Sequence, residues 1–407
     1  MNAIQAAQTV SLTDTGCRMS NVDYSPVHGI RTLDSFSLSR LVLTDFRNYT
    51  RAVLEPAKGP VVLTGPNGAG KTNLLEAISL LAPGRGLRRA ELSRLRRITA
   101  PELAGWGVAA HVDTPAGQVE IGTGMTAGQT RRTLRIDGID GCPQSDLAER
   151  VGLVWLVPQM DRILTDGATG RRRFLDRLVF GFDRAHAGRI SRFERAMRER
   201  SRLLSEGRAD AAWLSGLEVV MAETGIAITA ARIDIVRRLD AACCAIADPF
   251  PEPGLRMIGT LSDWLEDGPA LAAEDRYRAA LQDNRRRDAE TGGSGTGPHR
   301  DDLDVMHRTR GISAALCSTG EQKALLVSIV LAHACALAAE AGAMPILLLD
   351  EIAAHLDADR RASLLDALLN LSAQVFLTGT DPNLFAGLNG RAQFFTLAAG
   401  RIASGGF

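Results

Sequence analysis

The spacing of apolar residues predicts strands in the first third of the chain. An alternating segment begins at Leu38, and the apolar run 60–64 has the composition of a buried strand that ends at a glycine. Three more alternating segments follow at 107–112, 118–121 and 131–136, separated by glycine and proline. Segments with one apolar and one polar face are typical of antiparallel pairing, so we expect an antiparallel β subdomain here.

Helical periodicity replaces this alternation in the middle of the chain. Between about residues 170 and 240, apolar side chains recur every three or four positions, which predicts a helical insertion with a charged outer face. Breaks at 248–254 and 291–298 bracket a further short strand and helix. Alternating α and β patterns then return, and the predicted elements are a helix at 321–339, a strand at 346–349, a helix at 360–369 and a strand at 374–377.

These patterns divide the 407 residues into four segments. Residues 1–37 show no sustained apolar period, and we expect them to form a disordered extension. Residues 38–168 and 293–407 carry the α/β patterns and are predicted to form the two parts of one α/β head. The segment 169–292 between them is predicted to form a helical arm.

Charge and composition narrow the possible partners. Forty-seven basic residues balance forty-seven acidic ones, so any contact with a polyanion has to be local. The six cysteines show no C-x-x-C spacing and no histidine pattern that would complete a zinc site. We identify no apolar run long enough to span a bilayer and no signal-peptide order, so we expect a cytoplasmic protein with reduced cysteines and no membrane partner.

A glycine-rich loop between the second predicted strand and a helix predicted at 72–81 carries the first chemical signal. Its sequence fits G-x-x-x-x-G-K-[ST], in which small residues let successive backbone N–H groups point at the phosphates of ATP. Lysine occurs only at Lys58, Lys71 and Lys323, which indicates that Lys71 is there to neutralise phosphates and Thr72 to ligate Mg²⁺. A glycine turn without a ligand is the alternative. The loop positions are Gly65, Pro66, Asn67, Gly68, Ala69, Gly70, Lys71 and Thr72.

Two adjacent acids follow the apolar run 346–349. A strand that is apolar at every position is typical of the centre of a parallel sheet, and its carboxyl end lies at the edge where such sheets bind ligands. We therefore expect Asp350 to hold Mg²⁺ through water and Glu351 to polarise the attacking water as general base, with Lys71 as its catalytic counterpart. Solvated acids that cap the following helix are the alternative.

The segment 317–323 precedes a long apolar helix and resembles the signature of ABC-type ATPases, in which serine and glycine lie at a helix N-terminus. Ser318 and Gly320 are expected to contact a γ-phosphate, which in ABC-type proteins belongs to the nucleotide of the partner subunit. A plain helix N-cap is the alternative. Asp357, in the stretch 354–357, resembles the D-loop of the same class, which crosses the dimer interface.

Residues that sense the nucleotide state are less sharply defined. Gln159 follows a strand predicted at 154–158 and occupies the place of a Q-loop glutamine, which would contact metal and water; an ordinary surface residue is the alternative. No histidine follows the last predicted strand, where transporter ATPases place their switch histidine. Thr378, Thr380 or Asp381 is expected to replace it, which predicts slow ATP hydrolysis.

Four stretches in this order resemble the RecF family of bacterial recombination mediators, along residues 38–407. The stretches are 43–49 (LTDFRNY), 171–176 (RRRFLD), 297–302 (GPHRDD) and 350–357 (DEIAAHLD). The chain departs from the family pattern at its extension, 1–37, and at Glu351, where RecF proteins often carry aspartate. It also departs at 158–160, which replaces a more acidic loop.

The resemblance implies a fold and a function. The fold is an α/β, ABC-type P-loop ATPase head like that of SMC and Rad50 proteins, with a short helical arm in place of a long coiled coil. The function is ATP-dependent dimerisation on gapped or junction DNA, with RecR and RecO as partners in loading RecA onto single strands. An ATPase subunit of an ABC transporter is one alternative, and a DNA clamp that holds ATP without hydrolysing it is another.

An arginine cluster beyond the phosphate-loop helix is the candidate DNA contact. Arginine side chains can position a duplex through its phosphates without reading sequence. An ordinary solvated surface is the alternative, and 171–173, 285–287 and Arg300 allow the same two interpretations, Arg300 also being able to pair with Asp301 and Asp302. The cluster comprises Arg85, Arg88, Arg89, Arg94, Arg96 and Arg97.

Overall fold

The computed structural model describes residues 34–101, 103–207, 210–245, 250–354 and 356–405, so most of the predicted extension lies outside the described residues. The strands are β1 (Asp34–Ser35), β2 (Ser37–Phe46), β3 (Tyr49–Leu54), β4 (Pro60–Thr64), β5 (Trp106–Thr114), β6 (Gly117–Met125), β7 (Thr133–Ile136), β8 (Ile139–Asp140), β9 (Leu153–Leu156), β10 (Pro253–Ile258), β11 (Asp302–His307), β12 (Ile312–Ser313), β13 (Ala343–Met344), β14 (Ile346–Leu349), β15 (Val375–Gly379), β16 (Gln393–Ala398) and β17 (Arg401–Gly405). The helices are α1 (Lys71–Ser79), α2 (Leu147–Arg150), α3 (Ala168–Phe180), α4 (His186–Glu206), α5 (Ala211–Ala245), α6 (Thr260–Asp267), α7 (Ala270–Asp283), α8 (Arg285–Thr291), α9 (Thr319–Ala341) and α10 (Ala358–Asn370).

A six-stranded sheet with the order β17-β16-β4-β15-β14-β9 forms the centre of the head. All its neighbours pair in parallel except β16 and β17. Every residue of β14 is buried, which confirms that this apolar run is a central strand. Because parallel strands end at the same edge, the residues that follow β4, β14 and β15 meet there.

A second, antiparallel sheet confirms the predicted β subdomain. Its strand order is β3-β2-β5-β6-β7-β8. Gln374 joins the two sheets, because its side-chain amide accepts from the Leu38 N–H at 2.7 Å and donates to the Leu38 carbonyl at 2.9 Å. A buried amide with these partners satisfies backbone groups that neither sheet would otherwise pair. The last residues of the predicted extension also pair, since β1 lies parallel to β13.

The middle of the chain builds a hydrophobic cluster of its own. Its buried members come from α4, α5, α6 and α7, and the largest is the fully buried Tyr277. Helix α3 instead contributes Phe174, Leu175, Leu178 and Val179 to the core that surrounds the central sheet. The insertion is therefore helical, as the periodicity predicted, and its first helix packs on the head.

The expectation of a single short helix after β10 was wrong. Three helices, α6, α7 and α8, occupy this region. Gly268 and Pro269 separate α6 from α7, and proline before the first turn of α7 starts a new helix rather than continuing the old one. Asn284 then lies between α7 and α8 in a non-helical conformation. Strand β10 returns to the head, where it pairs with β11.

An ion pair joins the RRRFLD and GPHRDD stretches, and an arginine of α5 contacts both of them. Arg171 donates to both carboxylate oxygens of Asp302, at 2.6 to 3.2 Å. Arg232, in α5, makes a two-pronged pair with Asp176 at 2.8 and 2.9 Å and also donates to the carbonyl of Pro298 at 2.5 Å. Two-pronged arginine–carboxylate pairs fix relative orientation as well as distance. Both stretches thus act in the junction between arm and head.

Helix α9 corrects one expectation from the sequence. Over the described part of the chain it is the one helix long and apolar enough to cross a membrane by length and composition, although no run of this kind was identified above. Most of it is buried against the central sheet and α5, including Leu325, Leu326 and Ile329. A core helix of this kind is apolar all round because protein surrounds it.

Arg200 crosses the centre of the arm. It is 1% exposed, and it donates to Glu218 at 2.9 Å, to Asp288 at 2.7 Å and to the carbonyl of Leu281 at 2.5 Å. Glu218 is also held by Arg285, at 2.5 Å. One guanidinium thus satisfies groups from three different helices.

Replacing Arg200 should weaken the arm far more than replacing its neighbour Arg202. Arg200→Ala leaves the buried Asp288 carboxylate without its arginine and Glu218 with one arginine instead of two, and we expect a loss of about 3–5 kcal/mol in the free energy of unfolding. Arg202→Ala removes exposed pairs with Glu199 and Glu206 and should cost less than about 1 kcal/mol. Urea unfolding followed by circular dichroism measures both, and equal losses would contradict a structural role for the buried network.

Candidate functional site

The phosphate loop curls between the end of β4 and the start of α1. Gly65, Gly68 and Gly70 have φ values of 149°, 81° and 113°, which L residues with side chains rarely adopt. Lys71 is buried, and its ammonium donates to the carbonyls of Gly65 at 2.7 Å and Pro66 at 3.1 Å. Burial lowers the pKa of Lys71, while Glu351 and Asp350 nearby raise it. The loop is therefore a closed backbone turn around a buried positive charge.

The turn between β2 and β3 clasps this loop from outside. Asn48 donates to the carbonyl of Ala69 at 3.1 Å, and the buried Tyr49 hydroxyl donates to the carbonyl of Gly70 at 3.0 Å. Asn73, in the first turn of α1, donates to the Asn48 side chain at 2.8 Å. Sequence reasoning missed this clasp, although the stretch 43–49 was one of the four that carried the family resemblance.

Asp350 lies at the edge where β4, β14 and β15 end. Its carboxylate accepts from the Thr72 hydroxyl at 3.1 Å and from the Thr378 hydroxyl at 2.7 Å. Burial raises the pKa of this carboxyl, and the two hydroxyl bonds lower it. The structure thus brings the predicted loop threonine and the predicted strand-end aspartate into direct contact.

Glu351 follows in a strained backbone conformation. Its φ is 50°, which is uncommon for a residue that carries a side chain. Its N–H donates to the Thr378 hydroxyl at 2.8 Å. Of the three residues proposed to replace a switch histidine, Thr378 is therefore the one that touches both acids; Thr380 is exposed, and Asp381 caps the short helix that follows it.

The groups at this edge fit a nucleotide with Mg²⁺. Within the described ranges, no three His, Cys, Asp or Glu side chains cluster as a metal site, so a cation here would take oxygens from Thr72, Asp350 and a phosphate. Mg²⁺ characteristically combines one or two protein oxygens with substrate phosphates and water. The buried Lys71 ammonium, held only by backbone carbonyls in its recorded hydrogen bonds, matches a phosphate anion.

The signature segment lies elsewhere in the chain and is built as a helix cap. Ser318 caps α9 in a reciprocal arrangement, since its hydroxyl accepts from the Glu321 N–H while the Glu321 carboxylate accepts from the Ser318 N–H at 2.9 Å. These bonds to Ser318, and then Arg310, lower the pKa of Glu321 to about 2. In the single chain Ser318 therefore acts as a helix N-cap, which was the alternative interpretation. Its contact with a γ-phosphate stays a prediction.

The predicted D-loop residue lies beside this segment. Asp357 caps α10 by accepting from the Arg360 N–H at 2.8 Å, and a Cβ on Gly320 would lie 3.3 Å from the Arg360 guanidinium. Residue 355 of the same stretch is outside the described residues. No hydrogen bond or ion pair is recorded between Ser318, Gly320 or Asp357 and the phosphate loop over the residues that the structure describes.

Gln159 follows β9, the strand that pairs with β14 in the central sheet. It lies in a short 3₁₀ turn, Pro158–Met160, and is exposed. For the described residues, no hydrogen bond is recorded between Gln159 and either Thr72 or Asp350. Asp161, two residues further along the chain, faces Lys323 at 3.5 Å.

The predicted DNA-contacting arginines differ in their exposure and in the bonds that they make within the chain. Arg97 pairs with Asp45 at 2.8 Å, and Arg88 donates to Asn73 at 2.8 Å. Arg96 donates to the carbonyl of Pro101 at 2.8 Å. The exposed members are Arg85, Arg88, Arg89 and Arg94.

The other arginine groups are mostly structural. Arg300 donates to the carbonyl of Ser294 at 3.2 Å rather than pairing with Asp301 or Asp302, because Arg171 already holds the latter. Arg285 likewise pairs with Glu218 inside the arm.

The sheet order, the phosphate loop, the acids after β14 and the serine-capped helix α9 define an ABC-type ATPase head. The model of the RecF/RecN/SMC N terminal domain matches residues 37–400. The chain is 50% identical to the DNA replication and repair protein RecF of Rhizobium etli over 371 residues, which covers 90% of this chain and 98% of that protein. The corresponding protein of Mesorhizobium japonicum is 49% identical over 369 residues, covering 90% and 97%. The chain belongs to the RecF family.

Solved structures agree on the fold. A structure of the recombination mediator protein RecF-ATPrS in the RecFOR pathway matches with a TM-score of 0.80 at 22% identity, covering 91% of this chain and 99% of that one. An Smc head domain from Pyrococcus furiosus matches with a TM-score of 0.50 at 15% identity, covering 91% and 96%. These findings confirm the predicted family and the SMC-like head, and they do not favour the transporter alternative.

The clasp from Asn48 and Tyr49 predicts unequal effects of two glycine substitutions. A Cβ on Gly70 would lie 2.5 Å from the Tyr49 hydroxyl, whereas nothing lies within 4 Å of a Cβ on Gly68. Gly68→Ala should therefore cost about 1–2 kcal/mol of stability from its backbone alone, and Gly70→Ala about 2–5 kcal/mol. Denaturant unfolding measures the difference, and similar costs would show that the clasp does not constrain the loop.

Proposed function

We propose that ATP joins two copies of this chain head to tail on gapped or junction DNA, and that ATP hydrolysis releases them. The observation that carries the proposal is that, among the described residues, no hydrogen bond or ion pair joins the signature segment to the phosphate loop, so that the site divides into two halves. One half contains the phosphate loop, Asp350 and Glu351, and the other contains Ser318, Gly320 and Asp357. A second subunit would supply the half that each nucleotide lacks.

In the first half, each residue has a task that its chemistry supports. Lys71 would neutralise the β- and γ-phosphates, and Thr72 with Asp350 would hold Mg²⁺. Glu351 would orient the attacking water and accept its proton. Bound Mg²⁺-ATP would supply the transferable phosphoryl group and the charge that balances it. We propose weak ATPase activity, in which hydrolysis serves as a switch rather than as a source of product.

In the second half, the capping serine can change partners. Its N–H and hydroxyl both contact the Glu321 carboxylate in the single chain. The first N–H groups of a helix attract anions, so a γ-phosphate could take the place that this carboxylate occupies. Asp357, next to Gly320 through Arg360, would lie at the same interface.

Partners follow from the family. The solved relative is a recombination mediator of the RecFOR pathway, and we propose that this chain acts with RecO and RecR in loading RecA, in the cytoplasm. The exposed arginines Arg85, Arg88, Arg89 and Arg94 would contact DNA phosphates, so DNA binding should weaken as salt rises. The more enclosed Arg96 and Arg97 would support that surface from behind.

Ser318→Arg tests the head-to-tail dimer. The wild-type chain should sediment as a dimer with ATP and gapped DNA and as a monomer without ATP. Ser318→Arg places a bulky charge where the partner's nucleotide would lie, so it should stay monomeric while each chain still binds ATP through its own loop. Ser145→Arg, at an exposed serine far from the signature in sequence, is the control and should dimerise. Dimerisation of Ser318→Arg like wild type would refute the arrangement.

Glu351→Gln tests whether hydrolysis ends the DNA-bound state. The variant keeps the size of the side chain and loses the base, so kcat should fall by about 10²- to 10⁴-fold. ATP binding should persist, and the dimer should remain on DNA longer than wild type in a dissociation experiment. The exposed Glu55→Gln serves as control. Rapid dissociation of Glu351→Gln would instead support a clamp that does not depend on hydrolysis.

A further inference from the structure

Lys323 connects the two halves of the site. In sequence it belongs to the half that contains Ser318, and its side chain contacts the half that contains Glu351. It belongs to the second turn of α9, one turn after Ser318, and is 4% exposed. Its ammonium donates to the carbonyls of Glu351 at 3.2 Å and Ala354 at 2.9 Å, and it faces the Asp161 carboxylate at 3.5 Å. Three separate chain segments therefore meet at one buried charge.

The Lys323 ammonium holds the carbonyl side of Glu351, the residue with the strained backbone. The Glu351 peptide groups are fixed from both sides, because its N–H donates to Thr378 and its carbonyl accepts from Lys323. A residue with a side chain stays at a φ of 50° only where its surroundings hold it there. Lys323 is thus part of what sets the direction in which the Glu351 carboxylate points.

The same side chain is fixed to the signature. Ser318 and Lys323 are five positions apart on a helix whose rise is about 1.5 Å per residue, so they move as one rigid body. A shift of the start of α9, such as the arrival of a phosphate at Ser318, moves the lysine ammonium relative to the turn 351–354. A helix packed in a protein core transmits small displacements along its length, because the close-packed core around it has low compressibility.

We propose that Lys323 is a positioning residue that couples the two ATP sites of the dimer. The state of the signature, which contacts the partner's nucleotide, sets the geometry of Glu351, which acts on the chain's own nucleotide. This inference rests on the proposed head-to-tail dimer. Its consequence is that hydrolysis is cooperative in ATP, because each site becomes productive when the other is engaged.

Lys323→Met tests the coupling, since methionine keeps length and loses the charge and the donors. We expect kcat to fall about 10- to 100-fold through misplacement of Glu351. The KM for ATP should change by less than about twofold, because the phosphate loop is intact. The Hill coefficient for ATP should fall from about 2 to about 1. Lys323→Arg, which restores charge and donors, should recover part of the lost kcat.

The chain offers a matched control. Lys58 is the one lysine outside both motifs, it is exposed, and its nearest acid is 4.0 Å away. Lys58→Met should behave like wild type. Thr378→Val releases the other side of Glu351 without touching α9, so it should lower kcat and leave the Hill coefficient unchanged.

The outcomes separate this inference from the proposed function. If wild type neither dimerises nor hydrolyses ATP, the proposed function fails. If wild type does both, but its Hill coefficient is 1 or Lys323→Met retains wild-type kcat and cooperativity, the coupling by Lys323 is refuted. If Lys323→Met unfolds below the assay temperature, Lys323→Gln replaces it, because glutamine keeps a hydrogen-bond donor on a shorter side chain. Lys323→Gln should also lower kcat and the Hill coefficient, and wild-type values of both would refute the coupling.

Discussion

Two hydrogen bonds to one buried carboxylate organise the candidate site. Asp350 accepts from Thr72 at the end of the phosphate loop and from Thr378 at the end of β15, so a single side chain joins the ends of the three central strands. A carboxylate in such a place requires partners, because burying it unpaired would be costly. The parallel sheet supplies them by ending its strands at a common edge. The phosphate loop, Asp350 and Glu351 are therefore positioned by the sheet rather than by flexible connections.

The second half of the site obeys a different constraint. Ser318 and Asp357 each cap a helix, and their hydrogen bonds are satisfied within their own segments. The capping arrangement keeps the signature folded when no partner is present, and it also offers N–H groups to an incoming anion. The Arg171 and Arg232 ion pairs fix α3 and α5 against the start of β11 and against each other. In the proposed dimer, movement of one subunit against the other would reach Glu351 through α9.

Local patterns predicted much of this arrangement from sequence. The phosphate loop, β4 and β14 are recognisable because each depends on a short run of residues with a strict chemical requirement. The clasp from Asn48 and Tyr49 could not be derived in this way, since it joins residues about twenty positions apart by tertiary packing alone. Thr378 was one of three candidates until the strand order placed it against Asp350. The exposure of Gln159 and the ion pair between Arg97 and Asp45 likewise depend on segments that are distant in sequence, so local patterns could not predict them.

The central claim is that each ATP site is assembled from two chains, and mixing two inactive variants tests it most directly. Lys71→Arg damages the phosphate loop, and Ser318→Arg damages the signature, so neither variant alone should hydrolyse ATP. In a mixed dimer, the intact loop of one chain faces the intact signature of the other. The account predicts that ATPase activity returns in part on mixing, in the presence of gapped DNA, because the second site of the mixed dimer carries both substitutions and cannot activate the first through Lys323. Continued inactivity of a mixture that forms dimers, or full activity of Ser318→Arg alone, would contradict it.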